Sequence, residues 1–197
     1  MGGFGHVMSA AVVGDYAVDP NHELCDIGGG VGSLVGNYAQ HYPNTNITVF
    51  DFGADNANKY LGSILPDHRY RVVEGSFFEP LPDSLATCDV FFLRWILHDW
   101  SDDDCIRILN NIRNIAKPLA KVVAIEFLLD VGPSGHPRLS KFIADMIMLA
   151  SQPNGARERT LDEYAALLDQ GFGGNASAVR HVPTRSLVSA LEVTILD

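Results

Sequence analysis

Glu23-Leu-Cys-Asp26-Ile-Gly28-Gly29-Gly30-Val31-Gly32 is the stretch on which the fold turns. A strand-like run ends in glycines, and an amphipathic run follows with Val31, Leu34, Val35, Tyr38 and Tyr42 at helical spacing before Pro43 stops it. Glycines at such a handover let the backbone approach a ligand closely and open the helix N-terminus toward it. In open α/β sheets this is the position where ligands bind. The dinucleotide spacing G-x-G-x-x-G would need a glycine at 33, where serine stands, so the loop reads as acid-x-G-x-G-x-G. Asp26, two residues before the first glycine, suits a ligand carrying an ammonium group better than a pyrophosphate. The competing reading is a tight strand–helix turn with no ligand; four glycines within residues 28–32 weigh against it.

Outward from that loop the same alternation repeats. Strands are predicted at residues 47–51, 70–73, 89–94 and 121–129, with a polar helix over 54–64. The run 89–94 does not alternate, which predicts burial on both faces. Ser101 can cap a helix whose first turn holds Asp102, Asp103 and Asp104, suited to the positive end of the helix dipole. Its apolar stripe is Cys105, Ile108, Leu109, Ile112, Ile115 and Ala116, and Pro118 ends it. Further helices are predicted over 139–151 and 159–170. Two strand-like runs, 176–183 and 187–196, follow with no helix between them, which points to a closing antiparallel hairpin. The expected fold is α/β and Rossmann-like: a mostly parallel seven-stranded sheet with helices on both faces. Residues 1–20 read as a helical lead-in, with Phe4, Met8, Ala11 and Val12 on one face, and residues 21–197 as the catalytic domain.

Composition narrows the function classes. The 197 residues are 47% hydrophobic and 19% charged, as in a single globular domain. A net charge of -10 argues against binding nucleic acid through phosphate neutralisation and against an anionic membrane surface. Cys25, Cys88 and Cys105 are odd in number and form no CxxC pair, so a zinc site or a disulfide framework is disfavoured. With no signal peptide and no apolar run long enough to span a bilayer, the sequence reads as cytoplasmic.

Asp51 ends the second predicted strand, where an acid can accept both hydroxyls of a ribose. With the glycine loop it describes an adenosine-bearing cofactor. Arg94-Trp-Ile-Leu-His98-Asp99-Trp100 lies at the carboxyl end of the fourth strand, on the same sheet edge. At this point nearly the whole chain resembles the plant-type S-adenosylmethionine-dependent O-methyltransferases that act on caffeate, flavonoids and hydroxyindoles. The resemblance rests on Asp26–Gly32, Phe50-Asp51, Gly75-Ser-Phe-Phe78, Arg94–Asp102, Glu126 and Asn154-Gly-Ala-Arg-Glu-Arg-Thr160. It implies a class I methyltransferase fold.

The resemblance places Gly28, Gly30 and Gly32 along the methionine end of the cofactor, with Asp26 in the same set, and Asp51 on the ribose. Ser76 and Phe77 fall by the adenine, covered by Trp100, Phe52 belongs to the same cofactor-binding set, and Arg94 contacts the cofactor's polar edge. His98 matches the general base, and Glu126 and Glu158 the two acids that orient it. Met148, Asp99 and Asp145 fall on the acceptor side. Ser76 stands where the family commonly has aspartate, and Arg94 where it has lysine; both changes bear on cofactor affinity rather than on the reaction. The family also carries an N-terminal helical domain that dimerises and closes the acceptor pocket. This chain begins almost at the catalytic domain, as an excised fragment or a naturally short form would, so weak cofactor binding and low turnover are expected of it alone.

The chemistry supports those roles independently. A sulfonium methyl is already activated, so the protein must align an in-line attack and remove the acceptor's proton, and no metal is required. A phenol titrates near 10 and imidazole near 6.5, so full transfer between them is uphill by about 5 kcal/mol. A carboxylate on the far ring nitrogen stabilises the imidazolium and fixes the tautomer. Each residue also has a plainer possible role. A His-Asp pair near a helix start can be a cap, Glu158 among arginines can be a surface ion pair, and Trp100 and Met148 can be core. At the level of the whole chain, the alternatives to an O-methyltransferase are a silent cofactor-binding scaffold and a nicotinamide oxidoreductase. Ser33 and the His-Asp-Trp segment disfavour the oxidoreductase.

Overall fold

The computed structural model describes residues 2–129 and 155–196. The predicted helix over 139–151, with Met148 and Asp145, lies outside the described residues. So do the side chains of Phe4 and Met8.

The sheet has seven strands: β1 (Glu23–Ile27), β2 (Asn46–Asp51), β3 (Tyr70–Glu74), β4 (Val90–Arg94), β5 (Lys121–Phe127), β6 (Arg180–Pro183) and β7 (Val188–Thr194). Their order is β3-β2-β1-β4-β5-β7-β6. The first five are parallel; β7 runs antiparallel to β5, and β6 to β7. The expected closing hairpin is present. The order in which successive strands are added reverses between β1 and β4, the switch point that leaves a crevice at the carboxyl edge.

Alternation along the strands divides the core in two. Leu24, Val49, Val90, Phe92, Val123 and Ile125 face α1 (Gly2–Asp15), α2 (Ser33–His41) and α3 (Ala54–Ile64), where Val12, Tyr16, Leu34, Tyr38 and Leu61 meet them. Cys25, Phe50, Phe91, Leu93 and Val122 face α4 (Asp102–Ile115) and α5 (Leu161–Phe172). The predicted stripe of α4 is the contact: Cys105, Ile108, Leu109 and Ile112 are fully buried. Burying each aliphatic side chain contributes about 1.5–3 kcal/mol. Both faces of β4 are covered, as its unalternating sequence predicts.

Two helix starts are displaced from the sequence reading, and both displacements matter for the site. α2 begins at Ser33, because Gly32 takes φ +79° and the glycine loop consumes residues 28–32. α5 begins at Leu161 rather than 159, because Thr160 and Glu163 form a reciprocal capping box. Glu158 and Arg159 therefore lie on an extended approach, Arg159 bridging Leu128 in parallel. Thr160→Ala removes the cap and is expected to cost about 1 kcal/mol. For a chain of this size that lowers the midpoint of a thermal melt by about 2–4 °C; an unchanged midpoint would show the cap idle.

Cys25 on β1 and Cys88 just before β4 form a disulfide with Cα atoms 6.0 Å apart, and Cys105 is free and buried. This corrects the expectation drawn from cysteine spacing. The pair is 63 residues apart in sequence and is brought together only by the β1–β4 pairing. The cysteines therefore no longer argue for a reducing compartment. Among the described residues no helix is long and apolar enough to cross a membrane.

Candidate active site

The residues singled out from the sequence gather along the carboxyl edge of the sheet, on both sides of the β1/β4 reversal. Gly28, Gly30 and Gly32 all have positive φ, at 70°, 57° and 79°. A Cβ at Gly28 would come within 2.5 Å of Ile96 Cδ1, whereas one at Gly30 would meet nothing within 4 Å. Gly28 is thus favoured by its left-handed backbone, with Ile96 close against it, and Gly30 faces open space. The loop is tied to β2: Gly28 N–H donates to Phe50 O at 2.7 Å and Gly30 N–H to Asp51 Oδ2 at 2.7 Å. Asp51 Oδ1 accepts from Phe52 N–H at 2.6 Å. Each carboxylate oxygen has spent one lone pair, and about two acceptor positions remain. Phe52 is 67% exposed beside it.

Asp26 is 1% exposed, and its Oδ2 makes no hydrogen bond among the described residues. Burial pushes its pKa up to about 6, Arg94 opposing. A buried carboxylate with a bare oxygen favours a cation, and the open face of Gly30 gives room for one. These features fit the ammonium end of a methionine-type ligand. Arg94 bonds Ser9 Oγ and, at 3.0 Å, Ser33 Oγ, and stacks over Trp95 at 5.2 Å. It is therefore anchored at the start of α2, behind the glycine loop. Trp95 has φ +56°, an uncommon conformation for a bulky residue, and turns the chain out of β4 while stacking on Phe127.

Beside the loop stands an aromatic group. Phe77 and Phe78 meet Trp100 edge to face with ring centroids at 5.9 and 4.7 Å. Ser76 Oγ accepts from Phe78 N–H at 3.2 Å and holds that turn.

On the β5 side, His98 is 9% exposed and its Nδ1–H donates to Glu158 Oε1 at 3.0 Å. Glu126 Oε2 lies 3.9 Å from the same nitrogen, and Asp99 Oδ1 lies 3.6 Å from Nε2. With Nδ1 committed to a carboxylate, the neutral ring carries its lone pair on Nε2. Burial alone would lower the imidazole pKa, but Glu126 and Glu158 outweigh it and hold the group up at about 9. Burial pushes Glu126 up to about 7, His98 opposing. Glu126 Oε1 also accepts from Ile96 N–H at 3.1 Å and Leu97 N–H at 2.9 Å, so one carboxylate faces the ring and grips its backbone. This arrangement can accept a proton at Nε2 and stabilise the cation that results.

The plainer alternatives fall away at two positions. Ser101 caps α4, accepting from Asp104 N–H, so His98 is not the cap. Glu158 is 2% exposed and turned to His98, not a surface ion pair. Arg159, which the sequence reading passed over, is fully buried beneath the His98 turn. Its sequence signals are a place in the segment Asn154–Thr160 that carries the resemblance and in the charged run 157–159 ahead of a helix cap, neither of which gives it a role. A concavity of about 440 Å³ lined by Arg113, Asn114, Pro118, Asn175 and Leu196 opens at the far end of α4 and includes none of these residues.

A Rossmann-like sheet that brings a glycine loop, an acid at the end of β2 and a buried His–Glu pair to one edge has the form of a ligand-binding α/β domain. Residues 4–173 match the family model described as an O-methyltransferase domain, and the chain belongs to that family. It is 37% identical over 145 residues to the tricetin 3',4',5'-O-trimethyltransferase of Triticum aestivum, covering 73% of this chain and 38% of that protein. Its fold superposes on the mitomycin 7-O-methyltransferase with a TM-score of 0.87 and 29% identity, over 99% of this chain and 55% of that one. The neocarzinostatin-pathway O-methyltransferase, solved with S-adenosyl-L-homocysteine and 1,4-dihydroxy-2-naphthoic acid, gives 0.78 at 30% identity, over 98% and 57%. The chain thus spans less than half the length of the curated relatives it matches.

Proposed function

We propose that this chain transfers a methyl group from S-adenosylmethionine to a hydroxyl, most simply a phenolic one, of a small aromatic molecule, with His98 as general base. The observation that carries the reading is the buried His98 Nδ1–Glu158 contact at 3.0 Å, which leaves Nε2 as the basic atom. Tricetin and dihydroxynaphthoic acid, named with two relatives, are aromatic hydroxyl compounds and support the acceptor class.

Bound S-adenosylmethionine would supply an electrophilic methyl on sulfur, leaving as S-adenosylhomocysteine, and this needs no metal. Asp26 would take the ammonium, Gly28, Gly30 and Gly32 the methionine chain, and Asp51 the ribose hydroxyls. Phe52, Ser76, Phe77 and Trp100 would frame the adenine. Arg94 would act on that end through Asp26 and Ser33. His98 Nε2 would receive the hydroxyl proton as the oxygen–carbon bond forms, while Glu158 and Glu126 stabilise the imidazolium. Against a phenol near 10, a base held at about 9 lowers the transfer cost from about 5 to about 1.4 kcal/mol. Asp99, with Met148 and Asp145, would meet the acceptor. Residues 21–197 are taken as the catalytic unit. A cytoplasmic location and dimerisation in a longer form belong to the same proposal.

Calorimetry with S-adenosylhomocysteine tests the cofactor half. Binding in the micromolar range is expected, at least about tenfold weaker in Asp51→Ala, which loses both ribose contacts and the Gly30 and Phe52 anchors. Labelled methyl transfer to a panel of phenols tests the other half. Binding without any transfer would favour a silent scaffold.

A further inference from the structure

The loop that carries His98 is held from two sides: Glu126 takes N–H groups at its start, and Arg159 takes carbonyls on both sides of His98-Asp99. Arg159 is fully buried. Its Nη1 donates to Leu97 O at 2.7 Å and its Nη2 to Trp100 O at 2.9 Å, the carbonyls on either side of His98-Asp99. Its Nε and Nη2 reach Asp102 Oδ1 at 2.9 and 2.7 Å, and its guanidinium lies over the Tyr164 ring at 5.8 Å. Other polar groups of the turn are engaged too. Arg157 N–H donates to His98 O at 2.9 Å, Cys105 Sγ approaches Leu97 O at 3.2 Å, and Glu126 takes the N–H groups of Ile96 and Leu97. A guanidinium is rigid and planar with donors in a fixed fork, so it sets the spacing of the acceptors it spans. A buried cation is costly unless fully bonded, and here it is bonded to the turn itself.

We propose that Arg159 is a positioning residue: its fork fixes the distance between Leu97 O and Trp100 O and so holds His98 against Glu158 and Trp100 against Phe77 and Phe78. Glu158 immediately precedes Arg159, so one short extended segment supplies both the ring's partner and the clamp on the ring's backbone. The base half and the aromatic half of the site are thereby set by a single side chain. The inference rests on the proposed role of His98.

Titration of His98 by NMR in the full 197-residue chain tests it without requiring turnover. The groups facing the ring are Glu126 from β5, Glu158 from the approach to α5 and Asp99 from the turn itself. If Arg159 acted only by charge, Arg159→Gln would raise the imidazole's proton affinity and Arg159→Lys would leave it alone. Loss of positioning does the opposite: the ring drifts from Glu158, and proton affinity falls in both variants. A fall of about tenfold is expected in Arg159→Gln, with a smaller fall in Arg159→Lys, since one ammonium lacks the fork. Trp100 emission is expected to shift in parallel. Asp102→Asn loosens the same clamp from its exposed side and keeps the test standing if neither Arg159 variant folds; it should move His98 in the same direction. An unchanged or raised His98 titration in a folded variant, or a wild-type His98 titrating near 6.5, overturns the inference. S-adenosylhomocysteine affinity measured on the wild type separately decides the functional reading.

Discussion

His98→Gln is expected to lower methyl transfer by about 10²–10⁴-fold while S-adenosylhomocysteine affinity stays within about twofold. The residue faces Glu158 and Asp99, not the glycine loop, so the loss falls on the chemical step. The pH profile supplies the sharper test. Burial opposes protonation of His98, but Glu126 and Glu158 outweigh it and hold the group at about 9. Below that pH the ring is mostly protonated and accepts no proton. The rate constant at low acceptor concentration should therefore climb about tenfold per pH unit from 7 and level off near 9. Glutamine cannot titrate, so the variant should lose that limb and retain only the slope from the acceptor's own ionisation, near 10 for a phenol. A wild-type profile flat from pH 6.5 to 9 shows that His98 is not held up near 9, and a variant keeping full activity removes His98 from the reaction.

Asp26→Asn should separate stability from binding. Burial raises the carboxyl to about 6 in the folded chain, above its usual range near 3.9. A carboxyl with a raised folded pKa contributes stability only while protonated; that contribution is lost as pH rises through about 6. At pH 7 the folded chain thus carries an ionised, buried carboxylate at a cost of about 2–3 kcal/mol. Asparagine removes the charge with little change of shape, so the thermal midpoint at pH 7 should hold or rise. Cofactor affinity should fall about 10–100-fold, because the ammonium loses a charge-assisted partner. Wild-type affinity should also weaken as pH drops below about 6. A variant that binds as tightly as wild type would move the ammonium elsewhere; one that fails to fold would show the carboxylate to be structural.

Much of this was legible in one dimension because it rests on local rules. Strand β1 and its glycine loop, the Ser101 cap with the α4 stripe, and the closing hairpin follow from periodicity, capping and punctuation, each set within about ten residues. Asp26 and Asp51 stand at strand ends and His98 on the turn that leaves β4, where the topology of a parallel sheet delivers them to one edge. What the sequence by itself determined was thus the order of elements, the edge on which chemistry gathers and the residue types gathered there. The tertiary structure alone decided the pairings. It decided between the two readings of Glu158 by setting it 3.0 Å from His98, buried Arg159 beneath the turn, left Asp26 Oδ2 bare, and joined Cys25 to Cys88 across 63 residues. The reason is physical: burial and partnership of a charge depend on which distant segments close over it, and a two-residue shift in the start of α5 was enough to change both.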